Sequence, residues 1–148
     1  MITPQFTPAD IERMLQKKIA KYEEKIVRIL RNVGEKCINE AREYGSYQDQ
    51  TGNLRSSIGY IVLKDGKPIK KGGFAPTERG TEGGKSGQKE GEAFINKVIS
   101  QYPKGFVLVV VAGMKYASYV EARNYNVLTS AELLAEREIP RLFKELSK

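Results

Sequence analysis

The stretch TGNLRSSIGYIV, residues 51–62, places a turn dipeptide, an arginine and two serine hydroxyls directly ahead of an apolar run. Glycine N–H groups, Arg55, Ser56 and Ser57 are the groups that cradle a phosphate. They are equally the ordinary entry to a β-strand. A second candidate, GTEGGKS (Gly80–Ser86), falls one residue short of P-loop spacing between its first glycine and Gly84-Lys85-Ser86. A P-loop needs a buried strand, a loop and a helix in that order, so that backbone N–H groups converge on the phosphate. Here no buried strand feeds the glycines, and more glycine and charge follow them, so nucleotide binding is not expected. The chain has no histidine and a single cysteine, Cys37. That removes the commonest general base, the commonest metal ligand and any zinc-finger spacing. No nucleophile–base pair is evident. The reading is a non-enzyme with no catalytic residue, no metal and no cofactor.

Bulk properties agree with a single domain over residues 1–148, long enough to bury a core without disulfides. One cysteine allows no intramolecular bridge and suits a reducing compartment. The opening MITPQFTPADIERML lacks the apolar core of a signal peptide. The longest apolar run, Phe106 to Ala112, is too short to cross a bilayer as a helix, so a soluble cytoplasmic protein with no membrane contact is expected. Lys and Arg outnumber Asp and Glu, 25 to 18, a net +7. Such an excess permits contact with nucleic acid or an acidic protein and says nothing of fold.

The elements that must position these residues begin with a long helix. Thr7 is its N-cap, Pro8 its first residue and Asp10 lies in the first turn. Ile11, Leu15, Tyr22, Ile26, Leu30, Val33, Cys37, Ala41 and Tyr44 make an apolar stripe at helical spacing. Gly34 weakens the middle and permits a bend; Gly45 ends the helix. Arg13, Lys17, Lys18, Lys21, Lys25, Arg28, Arg31, Lys36 and Arg42 fall within an arc of roughly 140° beside the stripe on an ideal wheel. This is either a surface for DNA or an acidic partner, or a solvated flank; Glu24, Glu35 and Glu43 share the arc and favour the latter. Cys37, on the apolar stripe, reads as an inert buried thiol.

After a polar turn region, residues 46–53, a strand is expected from Leu54 or Arg55 to about Leu63, with Ile58, Tyr60 and Val62 on one face and Ile61 and Leu63 on the other. Asp65-Gly66 predicts a hairpin turn, and Lys67 to Gly73, with Pro68, Lys70 and Lys71, an edge strand. Residues 72–91 carry few apolar side chains and read as a long mobile loop. A short helix, Glu92 to Tyr102, follows and ends at Pro103. Gly105 to Gly113 encloses seven consecutive apolar residues, which predicts a strand in the centre of the sheet or one with a face covered by another subunit. Asn124 to Leu128 is a candidate short strand. Thr129-Ser130-Ala131-Glu132 reads as a capping box opening a C-terminal helix. Its expected core positions are Leu133, Leu134, Ile139, Leu142, Phe143 and Leu146, and Pro140 should kink it. The order predicts an α+β fold: an antiparallel or mixed sheet packed by helices.

Two segments carry a family resemblance. TGNLRSSIGYIV resembles the TG-x-L-x-x-S-I strand entry of a family of phage morphogenesis proteins, through Thr51, Gly52, Leu54, Ser57 and Ile58. YASYVEARN resembles the family's YA-x-x-VE segment, through Tyr116, Ala117, Val120 and Glu121. These are the small head–tail joining, tail-completion or minor tail components of long-tailed phages and prophages, typified by gene product ten of the HK-ninety-seven-type phages. The likeness spans roughly residues 10–146. One departure is Ala122-Arg123-Asn124, where the family carries an aromatic residue and glycine; Asn124 can supply the same left-handed turn.

The resemblance implies a virion structural protein, made in the host cytoplasm, that forms homo-oligomeric rings and meets other head–tail or tail proteins. In that reading Thr51 and Gly52 turn the chain out of the helix, and Leu54 and Ile58 pack in the core. Arg55, Ser56 and Ser57 carry the strand edge. Tyr116 and Tyr119 pack, and Glu121 binds a backbone N–H or an arginine. Each of these residues is also explained by simply holding the monomer together. The alternative is a basic nucleic-acid-binding module using Lys17, Lys21, Lys25, Arg28, Lys64, Lys67, Lys70 and Lys71, with non-specific DNA as partner. Both hold if a ring presents a positive lumen to DNA.

Overall fold

The computed structural model describes residues 5–45, 49, 52–77, 80–81, 83–114, 117, 121 and 126–147. The first helix, α1 (Pro8–Tyr44), opens with a complete capping box. The Thr7 hydroxyl accepts the Asp10 N–H, and the Thr7 N–H donates to the Asp10 carboxylate. Gly45 ends the helix in an extended conformation rather than a left-handed one. Gly34 permits a close contact: a β-carbon there would lie 2.6 Å from the Tyr60 ring.

A single helical turn, α2 (Asn53–Ser56), precedes strand β1 (Ile58–Lys64). The strand expected from Leu54 therefore starts at Ile58, because residues 53–56 close a helical turn, with the Ser56 N–H on the Gly52 carbonyl and the Ser57 N–H on that of Asn53. Asp65 and Gly66, both with positive φ, make the hairpin to β2 (Lys67–Gly73). The two strands pair antiparallel with an irregularity between Val62 and Leu63. A third strand, β3 (Phe106–Ala112), pairs antiparallel with the other side of β1, giving the order β2-β1-β3.

The apolar run Phe106–Ala112 is thus an edge strand, and β1 is the centre. Both faces of β3 are packed, which is what the unbroken apolar sequence reports; its second edge pairs with no strand among the described residues. On one face, Phe106, Leu108 and Val110 join Ile58, Tyr60 and Val62 against Leu30, Val33, Cys37 and Ile38 of α1 and Ala131 of the C-terminal helix. On the other, Val107, Val109 and Val111 join Ile61 and Leu63 against Phe74, Ile95 and Ile99. The alternation expected for β1 holds, and each large side chain it buries contributes roughly 2 kcal/mol.

Helix α3 (Lys85–Val98), continued by a 3₁₀ turn (Ile99–Gln101), begins seven residues before the expected Glu92. The segment 72–91 is accordingly not one loop: Gly72 and Gly73 belong to β2, and residues 85–91 are helical. Its glycines supply the packing surface that apolar side chains would otherwise supply. A β-carbon on Gly87 would lie 1.9 Å from the Asn53 carbonyl oxygen, and one on Gly91 2.6 Å from both the Phe74 ring and the Ser57 carbonyl oxygen. Of the expected apolar side of α3, only Ile95 is fully buried; Phe94 and Tyr102 are exposed.

The C-terminal helix, α4 (Thr129–Leu146), packs beside α1 through Leu134, Ile139, Leu142 and Phe143, whereas Leu133 is 61% exposed. The helix runs through Pro140, which sits on its exposed side. Leu128, not Thr129, is its N-cap, and no side chain at that position caps it. Residues 126–128 are not a strand, and Asn124 and Tyr125 lie outside the described residues.

Candidate functional site

Asn53, Arg55, Ser56 and Ser57 gather in a buried polar knot at the start of β1. Gly52, with φ +82°, turns the chain into α2, a conformation that glycine adopts without strain. Thr51 lies outside the described residues. The Asp49 carboxylate accepts the Leu54 and Arg55 N–H groups at 3.3 and 2.8 Å, satisfying the free donors of the turn. The same carboxylate lies 3.8 Å from the Arg55 guanidinium, whose Nε donates to the Arg42 carbonyl of α1 at 3.0 Å.

The Ser56 hydroxyl shares its one proton between the carbonyls of Gly84 at 2.5 Å and Asn53 at 3.2 Å, and the Ser57 hydroxyl donates to that of Leu54. The Gly87 N–H donates to Asn53 Oδ1, and the Gly113 N–H to the Ser57 carbonyl. Arg55, Ser56 and Ser57 are buried in this turn and do not carry a strand edge. They tie the end of α1, the start of α3 and the exit of β3 to one point. Leu54 and Ile58 pack in the core as expected. Every buried side-chain nitrogen and oxygen among the described residues has a partner, so the arginine and hydroxyls that suggested a phosphate cradle are engaged within the chain.

In the second motif, Ala117 is buried against the α1-facing core. Tyr116, Tyr119 and Val120 lie outside the described residues. Glu121 does the work expected of it on backbone N–H groups: its carboxylate accepts Leu128 N–H, Thr129 N–H at 3.0 Å and the Thr129 hydroxyl at 2.9 Å. It thereby caps α4 from seven residues upstream, in place of the expected capping box, while Asn126 Oδ1 accepts the Ser130 N–H. Burial pushes this carboxyl upward, but the hydrogen bonds from Leu128, Thr129 and Val127 outweigh it, and Glu121 titrates below the ordinary glutamate value.

The basic candidates divide into three groups. Lys17 and Lys21 are exposed on the outer turns of α1, and Lys25 lies over the Tyr22 ring there. Arg28 and Lys70 line one concavity of about 550 Å³ between α1 and β2, together with Arg31 and Lys64. Glu23 and Glu24 share it, and Glu23 pairs with Lys64 at 2.6 Å. Lys67 and Lys71 are exposed elsewhere on β2, and Lys71 faces Glu92 at 3.9 Å. Cys37 is buried; burial first, and the Glu40 charge second, push its thiol up to about 11, so it is a poor nucleophile at neutral pH. Among the described residues no cluster of acidic, cysteine or histidine side chains could hold a metal. None of their helices is long and apolar enough to cross a membrane.

Two features escaped the sequence reading. Asn53 and Asp49 are structural anchors: Asn53 accepts the Gly87 N–H, 34 residues on, and Asp49 the N–H groups of Leu54 and Arg55. The apolar stripe of α1 also divides: from Ile26 onward it packs on the core, whereas Ile11, Met14, Leu15, Ile19 and Tyr22 are half or more exposed. Helix length carried a signal for the second. A helix of 37 residues is about 55 Å long, while a seven-residue strand spans about 23 Å, so the sheet cannot cover the whole stripe. Comparison with family models, with curated proteins and with solved structures finds no match to this chain.

Proposed function

We propose that this chain is a structural subunit of a phage or prophage virion, a component of the head–tail junction or tail completion that works by ring assembly and performs no catalysis. It would assemble in the host cytoplasm and reside in the particle, against copies of itself and other head–tail or tail proteins. The motif resemblance suggests the class. The observation that carries the mode of action is the amount of apolar surface the isolated chain leaves open. The outer stripe of α1 is exposed, and among the described residues β3 is an all-apolar strand at a sheet edge, with no Pro or Lys in it. The opposite edge, β2, carries Pro68 and three lysines. Edges of the first kind are covered by a neighbour or aggregate; edges of the second kind are built to stay alone.

Light scattering over a concentration series, alone and with candidate head–tail proteins, tests this reading. Closed oligomers are expected. A strict monomer at every concentration, unchanged by those proteins, refutes it.

A second reading, a basic nucleic-acid-binding module, draws on the concavity that gathers Arg28, Arg31, Lys64 and Lys70. The two coexist if the ring turns this concavity toward DNA. In that case the isolated chain binds duplex weakly and without sequence preference, with affinity falling steeply as salt rises.

A further inference from the structure

The outer turns of α1 form an arm. From Ile11 to Tyr22 its apolar residues are half or more exposed, and Phe6 ahead of the helix is 65% exposed. Together these side chains leave on the order of 500 Å² of contiguous apolar surface, the size of the largest patch on an ordinary monomer. Lys18 sits within the patch, and Arg13, Lys17 and Lys21 flank it.

At the other end of the molecule lies a surface of matching chemistry. A groove of about 310 Å³ runs between β3 and α4. Leu108 and Val110 form one wall; Leu128, Ala131, Ala135 and Ile139 form the other. Glu132 stands on its rim, and Glu136, one turn on, is exposed beside the exposed Leu133. Among the described residues neither glutamate has an ion-pair partner, and nor do Lys17, Lys18 and Lys21. A basic amphipathic helix and an acid-rimmed apolar groove are the two halves of a helix-in-groove contact. A helix lying there would also shelter the edge of β3 that pairs with no strand among the described residues.

The arm cannot fill the groove of its own chain. Cys37, on the same continuous helix, forms part of the groove floor. Leu15 lies 22 residues away from it, about 33 Å along the helix axis. We infer that the α1 arm of one copy docks into the β3–α4 groove of the next. Arm and groove are different surfaces, so the contact is head-to-tail, and repetition closes a ring or extends a filament. The inference rests on the assembly reading and names the contact that assembly uses.

The test is charge exchange on the full chain, read by light scattering, with circular dichroism to check folding. Lys18→Glu, Glu132→Lys and Leu15→Asp all fall on exposed positions and should leave the fold intact. Each should weaken self-association at least tenfold. Lys18→Glu and Glu132→Lys in one chain should bring it back to within threefold of the parent. If the parent associates and all three variants associate equally well, the arm–groove contact is wrong while ring assembly stands. If the parent is a monomer throughout, alone and with the head–tail proteins, both readings fall. If the parent stays a monomer while the arm captures an acidic amphipathic peptide, the occupant is a different protein and the inference is overturned.

Discussion

Gly87→Ala probes the unexpected feature of the fold, a helix packed through its glycines. In an exposed helix the change would stabilise by about 1 kcal/mol, because alanine loses less backbone entropy. Here the added β-carbon would lie 1.9 Å from the Asn53 carbonyl oxygen and 2.4 Å from Ser56 Oγ. A carbon–oxygen contact needs about 3.3 Å, so α3 must lift from α2 by more than an ångström. Backbone atoms oppose it, and no rotamer change relieves the clash. Lifting the helix also breaks the buried bond from Gly87 N–H to Asn53 Oδ1, 3.0 Å long. Overpacking and the orphaned amide each cost about 1–3 kcal/mol, so the net loss is about 3 kcal/mol after the helix gain is subtracted. Urea denaturation followed by circular dichroism reads it. Ser86→Ala, next door on the exposed side of α3, should be neutral or slightly stabilising. If Gly87→Ala proves as stable as the parent, residues 85–91 do not pack as a helix against α2, and the reading of this segment as a loop returns.

Glu121→Ala should cost about 1 kcal/mol through the lost cap of α4. Because the folded carboxyl titrates below the ordinary glutamate value of 4.5, its contribution is present above that pH and is lost as pH falls through the lower folded value, so the variant's melting temperature should respond less to acid than the parent's. Tyr60, buried and bonded to Glu35 at 2.8 Å, is pushed up to about 12 by burial first and by Glu35 second. Its contribution is full below the ordinary value near 10 and lost as pH rises through about 12; a tyrosinate absorbance component with that midpoint should vanish in Tyr60→Phe. Lys17→Glu, Lys21→Glu and Arg28→Glu together should change stability by under about 1 kcal/mol, since all three are exposed. In filter-binding titrations the triple variant should lose the weak, salt-sensitive DNA affinity; sequence-selective binding by the parent at physiological salt would refute the assembly-first reading.

Much of the local architecture was legible because local chemistry decides it. The Thr7 cap, the Asp65-Gly66 turn, the alternation of β1 and the protected edge of β2 depend on neighbours two to four residues away. For Glu121 the sequence left a backbone N–H or an arginine as partner; that the partners are the N–H groups of Leu128 and Thr129, seven and eight residues on, came from the structure. The misplacements share one cause. An apolar run reports how many faces of a strand are covered, not whether its edges are paired, so β3 read as central or as covered on one face by another subunit, and the structure puts it at the edge of the described sheet. Glycines report freedom in isolation, and only the presence of α2 turns Gly87 and Gly91 into a contact surface.

The sequence by itself determined the α+β class, the hairpin, the amphipathic helices and the lack of histidine chemistry, since composition and periodicity act within single elements. Only the tertiary structure decided which strand is central, that Arg55, Ser56 and Ser57 are consumed in a buried knot, and which half of the α1 stripe lies bare. The reason is geometric. A stripe of helical period is the same whether a sheet lies under it or not, and a sheet of seven-residue strands is too short to lie under all 37 residues of this one.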